Sequence, residues 1–420
     1  MVFYYEEIDI INDLLIFGVY SFLCYNLYIN MNIKTIKELK SLEGKKVILR
    51  TDFNVPVEKN KILDDHKIIS SLRTIKYLID NKCRIIIISH LGRPGGKPNR
   101  TYTLEPVAKE LGKLLKKQIK FIPEPIGFAV GSQIADMGDG DVTVLENMRF
   151  YKEELEDDRN FSRELASYGD IYVNDAFAVS HRAHASLSSI KEALPFYAGF
   201  LVEEELLSLN RILKPKKPMV TIIGGAKIKT KLPLIEKFMH IADQVLVGGI
   251  LANIFLSSRG YSVGSSPVDK QDIKIAKKIK SDKIILPIDL IVSNDKNGKT
   301  DVKRRKLSEV KEGDYVFDIG PETIKLYSSF IKKAETLVWN GPLGWFERDH
   351  FKHGTISIAR IFASRSRGRA FGVAGGGETV EAIKQTKMQG YIDWVSTGGG
   401  AMLDYLGNVS MPGLIGLIKK

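Results

Sequence analysis

Cysteine is nearly absent from this chain, and its scarcity excludes two kinds of site. The 420 residues include two cysteines, Cys24 and Cys83, which are too few for the disulfide framework of a small secreted domain. The motif HRAH places His181 and His184 three residues apart, but no cysteine or further histidine accompanies them as a zinc set. We therefore expect neither disulfide bridges nor a metal–histidine site.

A long uninterrupted apolar run is also missing. The best candidate, residues 14–25, is shorter than the roughly 20 apolar residues that a membrane span needs. Acidic residues precede it, whereas a signal peptide begins with a basic region. We predict that residues 1–30 are either translated from an upstream start and not part of the native protein, or a poorly packed extension. We expect no stable membrane association. An interfacial helix is the alternative.

Acidic residues are too few to balance the basic ones, which leaves a net charge of +12. The basic residues are spread along the chain, and the clusters at residues 214–218 and 303–306 are short. No recognition motif supports nucleic-acid binding. A basic intracellular enzyme that binds small anions explains the charge equally well, so we expect anionic substrates and no nucleic acid.

Glycine, by contrast, is abundant where predicted strands end in the second half. Six apolar runs rich in β-branched residues, as buried parallel strands are, break at glycine turns. They are residues 219–227, 245–253, 315–323, 336–344, 370–379 and 394–401. Open α/β sheets bind ligands at the carboxyl ends of their strands, where glycine lets backbone N–H groups approach an anion. Six such turns predict a phosphate-rich ligand.

Four apolar runs in the first half end in basic and polar side chains instead. Parallel strands would bring these side chains to one sheet edge: Arg50, Asp52, Asn54, His90, Arg93, Arg149, His181, Arg182 and His184. Arginine offers two-pronged donors suited to carboxylate or phosphate. For any single residue, a solvated charge at a strand end is an equally good explanation. The group as a whole predicts a small anionic substrate.

Strands and helices alternate from residue 31 onward, which predicts an α/β fold with parallel sheets. Helical patterns cover residues 66–80, 104–117 and 159–168, and residues 294–313 form a polar connection. Residues 198–218 are predicted to be a helix that joins two domains and ends at prolines. The predicted units are an extension (1–30), an N-terminal domain (31–200), a C-terminal domain (201–395) and a tail (396–420).

Eight motifs follow one another along the chain: RTDFNVP, SHLGRP, LENMRF, NDAFAVSHRAH, GGAKIKTK, WNGPLGWFE, GGGET and STGGGA. Their order and spacing resemble phosphoglycerate kinase over residues 31 to about 413. The resemblance implies two Rossmann-like domains joined by a helix, with a C-terminal tail returning to the N-terminal domain, in a cytoplasmic monomer. It also implies reversible phosphoryl transfer from 1,3-bisphosphoglycerate to ADP, giving 3-phosphoglycerate and ATP in glycolysis and gluconeogenesis, with Mg²⁺ carried on the nucleotide.

The resemblance also implies roles for individual residues. The residues implied to bind 3-phosphoglycerate are Asp52, Asn54, Lys67, His90, Arg93, Arg149 and Arg182. Those implied to bind nucleotide are Lys227, Lys231, Gly248, Gly249, Asn340, Glu347, Gly375, Gly376, Gly377 and Thr379. Those implied to act in catalysis are Lys67, Lys227, Gly398, Gly399 and Gly400. Taken alone, Lys227 and Lys231 would be a solvated helix pair, but they follow a strand and a double-glycine turn.

The implied reaction needs no general base, because its nucleophile in the ATP-consuming direction is an ionised carboxylate. It needs alignment of the reacting groups, and it needs the negative charge on the transferred phosphoryl group to be neutralised. Ligands on opposite walls must also be brought together, which predicts hinge closure around residues 198–215 and 396–413.

Three positions depart from the family pattern, and one of them, Thr230 where aspartate is frequent, supports no functional conclusion. Lys67, in DDHKI, stands where the family has a catalytic arginine, and lysine keeps the charge but loses the planar fork. Glu378, in GGGE, replaces an aspartate that attends Mg²⁺ and keeps a carboxylate on a longer arm. The alternative function is therefore a catalytically weakened or non-catalytic homologue that binds nucleotide or phosphoglycerate.

Overall fold

Two six-stranded parallel sheets and two small antiparallel sheets make up the fold. The computed structural model describes residues 32–225 and 228–419, so the predictions for residues 1–30 and for Lys227 lie outside the described residues.

The strands are β1 (Lys46–Thr51), β2 (Val57–Glu58), β3 (Lys61–Ile62), β4 (Arg84–Ile88), β5 (Lys120–Ile122), β6 (Val142–Leu145), β7 (Ile171–Asp175), β8 (Phe196–Ala198), β9 (Met219–Ile223), β10 (Gln244–Val247), β11 (Ile284–Ile285), β12 (Asp289–Ser293), β13 (Lys303–Lys306), β14 (Tyr315–Ile319), β15 (Thr336–Asn340), β16 (Phe371–Gly375) and β17 (Trp394–Ser396). The α-helices are His66–Asp80, Glu105–Leu115, Phe128–Ala135, Lys152–Leu155, Arg159–Ala166, Ile190–Ala193, Phe200–Leu213, Ile228–Ile241, Gly249–Ser258, Lys270–Lys278, Pro321–Ile331, His353–Gly368, Gly377–Thr386 and Gly400–Leu406.

The first sheet has the strand order β5-β6-β4-β1-β7-β8, and all neighbouring strands are parallel. Its central strand β1 is apolar on both faces. Val47 and Leu49 belong to one hydrophobic core, while Ile48 belongs to the core on the opposite face. Burial on both faces is typical of parallel strands that are covered by helices on each side. The carboxyl ends of β1, β4, β6 and β7 therefore lie along a common edge.

The second sheet has the strand order β11-β10-β9-β15-β16-β17 and is also entirely parallel. It too separates two cores, with Ile223 and Val338 on one face and Ile222 and Trp339 on the other. The two parallel sheets confirm the predicted α/β fold class. In the second sheet, glycine turns follow strands β9, β10, β15, β16 and β17, and they lie at one edge of that sheet.

The prediction of a parallel strand at residues 315–323 is wrong. Strand β14 pairs antiparallel with β12, which in turn pairs antiparallel with β13. The first three residues of β14 are only partly buried, as antiparallel sheets with one solvated face allow. Strand β13, with the sequence KRRK, falls inside the predicted polar connection at 294–313. Edge strands often carry such charges, so apolar patterning does not detect them.

Helix Phe200–Leu213 connects β8 of the first sheet to β9 of the second, as predicted. Its first turn is fixed by Asp175, whose Oδ1 accepts a hydrogen bond from Leu201 N at 2.9 Å. The C-terminal segment returns to the first half, where Lys34 N donates to Leu417 O at 2.8 Å and Asn174 Nδ2 donates to Gly413 O at 2.9 Å. Within the described ranges, no helix is long and apolar enough to span a lipid bilayer.

Candidate active site

A cavity of about 590 Å³, here called the basic cavity, opens at the carboxyl edge of the first sheet. It brings together all seven residues implied to bind 3-phosphoglycerate and the glycine turn that follows β17. The lining includes Asp52, Asn54, Lys67, His90, Arg93, Arg149, Arg182, Gly398, Gly399 and Gly400, together with His181 and His184. Most of these side chains follow strands β1, β4, β6 and β7, which explains why residues far apart in sequence meet here.

The positive charge of the basic cavity comes from arginine and lysine, not from histidine. Burial, reinforced by Arg149, lowers the pKa of His184 to about 3, and burial with Arg50 close by holds the pKa of His90 well below its usual value. Both imidazoles are therefore neutral at physiological pH. Burial also lowers the pKa of Arg149, to about 10, so this guanidinium stays charged.

Arg149 has unused hydrogen-bonding capacity. Its Nη1 donates to Gly92 O at 2.9 Å, but its buried Nε has no partner among the residues that the structure describes. Arg50 differs: it is fully buried, donates to Ser186 Oγ at 2.9 Å and does not line the cavity. Of the two, only Arg149 is placed to meet a ligand.

Lys67 is held at the mouth of the basic cavity by Asp52. Lys67 Nζ lies 2.7 Å from Asp52 Oδ2, while Asp52 Oδ1 accepts a hydrogen bond from Asn54 N at 3.0 Å. Asn54 Oδ1 in turn accepts from Gly92 N at 2.9 Å. This chain of contacts fixes the ammonium group of Lys67 beside the neighbouring loops.

A second cavity, of about 340 Å³ and here called the apolar cavity, opens at the carboxyl edge of the second sheet. Its walls are mostly apolar, with Ala252, Leu290, Val316, Phe317, Pro342, Leu343 and Trp345 among them. Of the residues implied to bind nucleotide, Gly249 and Glu347 line it, as does Glu378. Mostly apolar walls with a few polar groups suit a nucleobase and its sugar.

Lys231 and Asn340 are buried in a hydrogen-bonded cluster and do not line the apolar cavity. Lys231 Nζ donates to Asn340 Oδ1 at 2.7 Å, and Asn340 Nδ2 donates to Gly375 O at 2.8 Å. Thr379 Oγ1 accepts from Gly341 N at 2.7 Å. Burial lowers the pKa of Lys231 to about 8, so the amine is still largely charged at neutral pH.

Glycine is required where the backbone segments of this cluster touch. At Gly376 the φ angle is +99°, and a Cβ atom would lie 2.9 Å from Asn340 Nδ2. At Gly224 a Cβ atom would lie 1.9 Å from Pro342 O, which no side chain could tolerate. The glycine turns after β9, β15 and β16 thus allow three strand ends to pack against one another. Gly248 also lies in this region, against Leu343.

A third cavity, of about 260 Å³ and here called the bridging cavity, joins the two halves. It shares Asn54, Lys67, Thr397 and Gly399 with the basic cavity. Its lining also includes Gly376 and Gly377, at the start of the helix Gly377–Thr386. The N-terminal end of a helix favours negatively charged groups. A phosphoryl group held there would lie in the same cavity as Lys67.

Comparison with known proteins shows what this chain is similar to. The family model described as phosphoglycerate kinase matches residues 36–408. The chain is 42% identical over 391 residues to a phosphoglycerate kinase of Borrelia garinii subsp. bavariensis, covering 91% of this chain and 99% of the relative. It is 42% identical over 397 residues to that of Aquifex aeolicus, covering 92% and 98%.

The chain belongs to the phosphoglycerate kinase family. The phosphoglycerate kinase structure from Coxiella burnetii superposes with a TM-score of 0.81 at 34% identity, covering 91% of this chain and 98% of that one. The enzyme from Pyrococcus horikoshii gives the same TM-score at 31% identity and the same coverage. The reaction is reversible phosphoryl transfer between 1,3-bisphosphoglycerate with ADP and 3-phosphoglycerate with ATP, in glycolysis. ATP and ADP are substrates.

Two polar residues of the apolar cavity were not predicted. Asn253 is 2% exposed, and its Oδ1 has no hydrogen-bond partner within the described part of the chain. Asp318 is buried, and burial raises its pKa to about 8 although Gly354 N and Ile319 N donate to it. Asn253 follows the double-glycine turn of VLVGGILAN and interrupts an apolar helix, which is the pattern that could have identified it.

Proposed function

We propose that the basic cavity binds 3-phosphoglycerate and that the apolar cavity binds ADP or ATP, with phosphoryl transfer across the bridging cavity. The continuity of the basic and bridging cavities at Lys67 and Gly399 is the observation that carries this proposal. Arg93, Arg149 and Arg182 hold the phosphate of the acid, while Asp52 and Asn54 meet its polar end. His90 contributes a neutral hydrogen-bonding ring.

On the nucleotide side, Gly248 and Gly249 line the adenine pocket and Glu347 meets the ribose hydroxyls. Lys231, Asn340, Thr379 and the Gly375–Gly377 turn hold the phosphates. Lys227 is assigned to balance the charge on the transferring phosphoryl group, and this assignment rests on the family resemblance alone. Asn253 extends this assignment, because a buried amide oxygen without a partner is costly unless a ligand supplies one.

Transfer proceeds by alignment and charge cancellation, with no general base. The attacking carboxylate of 3-phosphoglycerate is already ionised, and the histidines His90 and His184 are neutral. Lys67 and the amide groups at Gly398–Gly400 therefore meet the developing charge. Preorganised donors of this kind are usually the largest contribution to catalysis, and phosphoryl transfer relies on them almost entirely.

Mg²⁺ enters with the nucleotide. Among the residues described by the structure, no cluster of three or more metal-ligating side chains occurs, while Glu378 presents one exposed carboxylate at the apolar cavity. Mg²⁺ is commonly bound by one or two carboxylates together with substrate phosphates, so this chain fits a metal that is held mainly by the nucleotide. The ion would neutralise phosphate charge.

The catalytic unit is a cytoplasmic monomer with an N-terminal domain at residues 31–200, a C-terminal domain at 201–395 and a tail at 396–420. A single chain contributes both walls of the cleft, so a second copy is not needed to complete it. The hinge lies at residues 198–215 and 396–413. Its closure excludes water that would otherwise hydrolyse the acyl phosphate.

ATP formation from 1,3-bisphosphoglycerate and ADP, measured in a coupled assay, tests the proposal. We expect turnover that requires both substrates and Mg²⁺. Binding of 3-phosphoglycerate or nucleotide without any turnover would instead identify a non-catalytic homologue.

Substitution of Lys67 by arginine should leave kcat unchanged or raise it, by up to about a hundredfold. Arginine keeps the contact with Asp52 and adds a second prong, and one charged hydrogen bond contributes about 1.5–3 kcal/mol. The measurement is steady-state kinetics in the ATP-forming direction. Lys76→Arg, on the exposed face of the same helix, is the control. A clear drop in kcat for Lys67→Arg alone would show that the site is adapted to lysine.

A further inference from the structure

An ion pair joins the two halves of the molecule beside the bridging cavity. Lys384 Nζ lies 2.6 Å from Asp64 Oδ2, and both residues line that cavity together with Lys67. Lys384 belongs to helix Gly377–Thr386 of the second half, whereas Asp64 lies just before helix His66–Asp80 of the first half. The pair therefore links the last turn of helix Gly377–Thr386 to the segment just before helix His66–Asp80.

The carboxylate of Asp64 has two partners with different consequences. Its Oδ1 accepts a hydrogen bond from His66 N at 3.0 Å, which fixes the start of the helix on which Lys67 is the second residue. Its Oδ2 binds Lys384. Because one carboxylate makes both contacts, the position of the first turn of helix His66–Asp80 depends on where helix Gly377–Thr386 lies.

We propose that Lys384 is a positioning residue for phosphoryl transfer: by pairing with Asp64, it holds the first turn of helix His66–Asp80, and Lys67 with it, against the nucleotide-binding half when the cleft is closed. The proposal rests on the function proposed above. Lys384 acts through Asp64 and Lys67, because its Nζ is held by Asp64 Oδ2.

The ion pair between Lys384 and Asp64 is suited to favouring closure of the cleft, and it contributes little to the stability of the folded protein. Its side chains are 32% and 41% exposed, and exposed pairs of this kind contribute little to stability. The two partners belong to different halves, so opening of the cleft separates them while each half stays folded. The attraction therefore favours the closed arrangement over the open one, and salt should weaken it.

The test compares Lys384→Met, Asp64→Asn, the double variant and Lys384→Arg in the ATP-forming assay. Asparagine at position 64 keeps an oxygen that accepts from His66 N, so Asp64→Asn removes the charge without removing the turn. Lys109→Met, which breaks an exposed 2.7 Å pair with Glu105 inside the first half, is the matched control. We expect each single variant to lower kcat about two- to fivefold, with no change in Tm relative to the control.

Two further results are expected if Lys384 and Asp64 act through the same ion pair. The double variant should be no slower than either single variant, and Lys384→Arg should restore the rate. Small-angle scattering with 3-phosphoglycerate and a non-hydrolysable ATP analogue should show less compaction for Lys384→Met than for Lys109→Met.

Equal kinetics and equal compaction for Lys384→Met and Lys109→Met would overturn the inference, as would losses that simply add in the double variant. Both outcomes leave the proposed function intact if the unaltered chain forms ATP. An unaltered chain that binds its ligands without forming ATP would refute the proposed function itself.

Discussion

Replacement of Arg149 by methionine should lower kcat/KM for 3-phosphoglycerate by about a hundredfold. Arg149 lies in the basic cavity with Nη1 bound to Gly92 O and with a buried Nε that has no partner in the described part of the chain. Because the guanidinium group lines this cavity, it can donate to the substrate phosphate. A charged hydrogen bond contributes about 1.5–3 kcal/mol, and each 1.36 kcal/mol corresponds to a tenfold change in rate.

The loss should come without a comparable loss of stability. Burial already disfavours the charged form of Arg149, as the lowering of its pKa to about 10 shows, so an uncharged side chain of similar length removes that cost. Steady-state kinetics for both substrates and thermal unfolding would separate the two effects. Arg163→Met, on the exposed face of helix Arg159–Ala166, is the control. An unchanged KM and kcat for 3-phosphoglycerate would remove Arg149 from the substrate site.

The fold could be predicted where a strand is buried on both faces, because such a strand is a continuous run of apolar residues in the sequence. Strands such as β1 and β9 have this pattern, and helix His66–Asp80 was predicted with its observed bounds. Strand β13 could not be predicted, because its charged residues form an edge strand. Strand β14 was predicted, but its antiparallel partner was not, because a single strand carries no information about the direction of its neighbour.

The candidate site could be predicted to the extent that its residues follow strand ends. The residues implied to bind 3-phosphoglycerate meet in one cavity for this reason. The sequence did not indicate which side chains at this sheet edge would line the basic cavity. Arg50 and Arg149 both lie at strand ends, yet only Arg149 lines the cavity. Nor did the sequence indicate that Asp64 and Lys384 would meet, since that contact depends on how the two halves are placed.

Replacement of Lys231 by methionine should abolish most activity and also remove the alkaline limb of the pH profile. Burial lowers the pKa of Lys231 to about 8, so the ammonium needed to hold nucleotide phosphate is present below that pH and is lost as pH rises through it. Because kcat/KM reports the free enzyme, kcat/KM for ADP in the unaltered chain should fall above about pH 8.

In Lys231→Met, kcat/KM for ADP at pH 7 should be about a hundredfold lower and should no longer fall above pH 8. Stability should change little, because removing a buried amine offsets the loss of a donor to Asn340 Oδ1. Lys229→Met, an exposed neighbour on the same helix, is the control and should keep both rate and profile. If the alkaline limb persisted in Lys231→Met, a group other than this ammonium would have to control nucleotide binding, and the assignment of the buried cluster to the phosphates would be wrong.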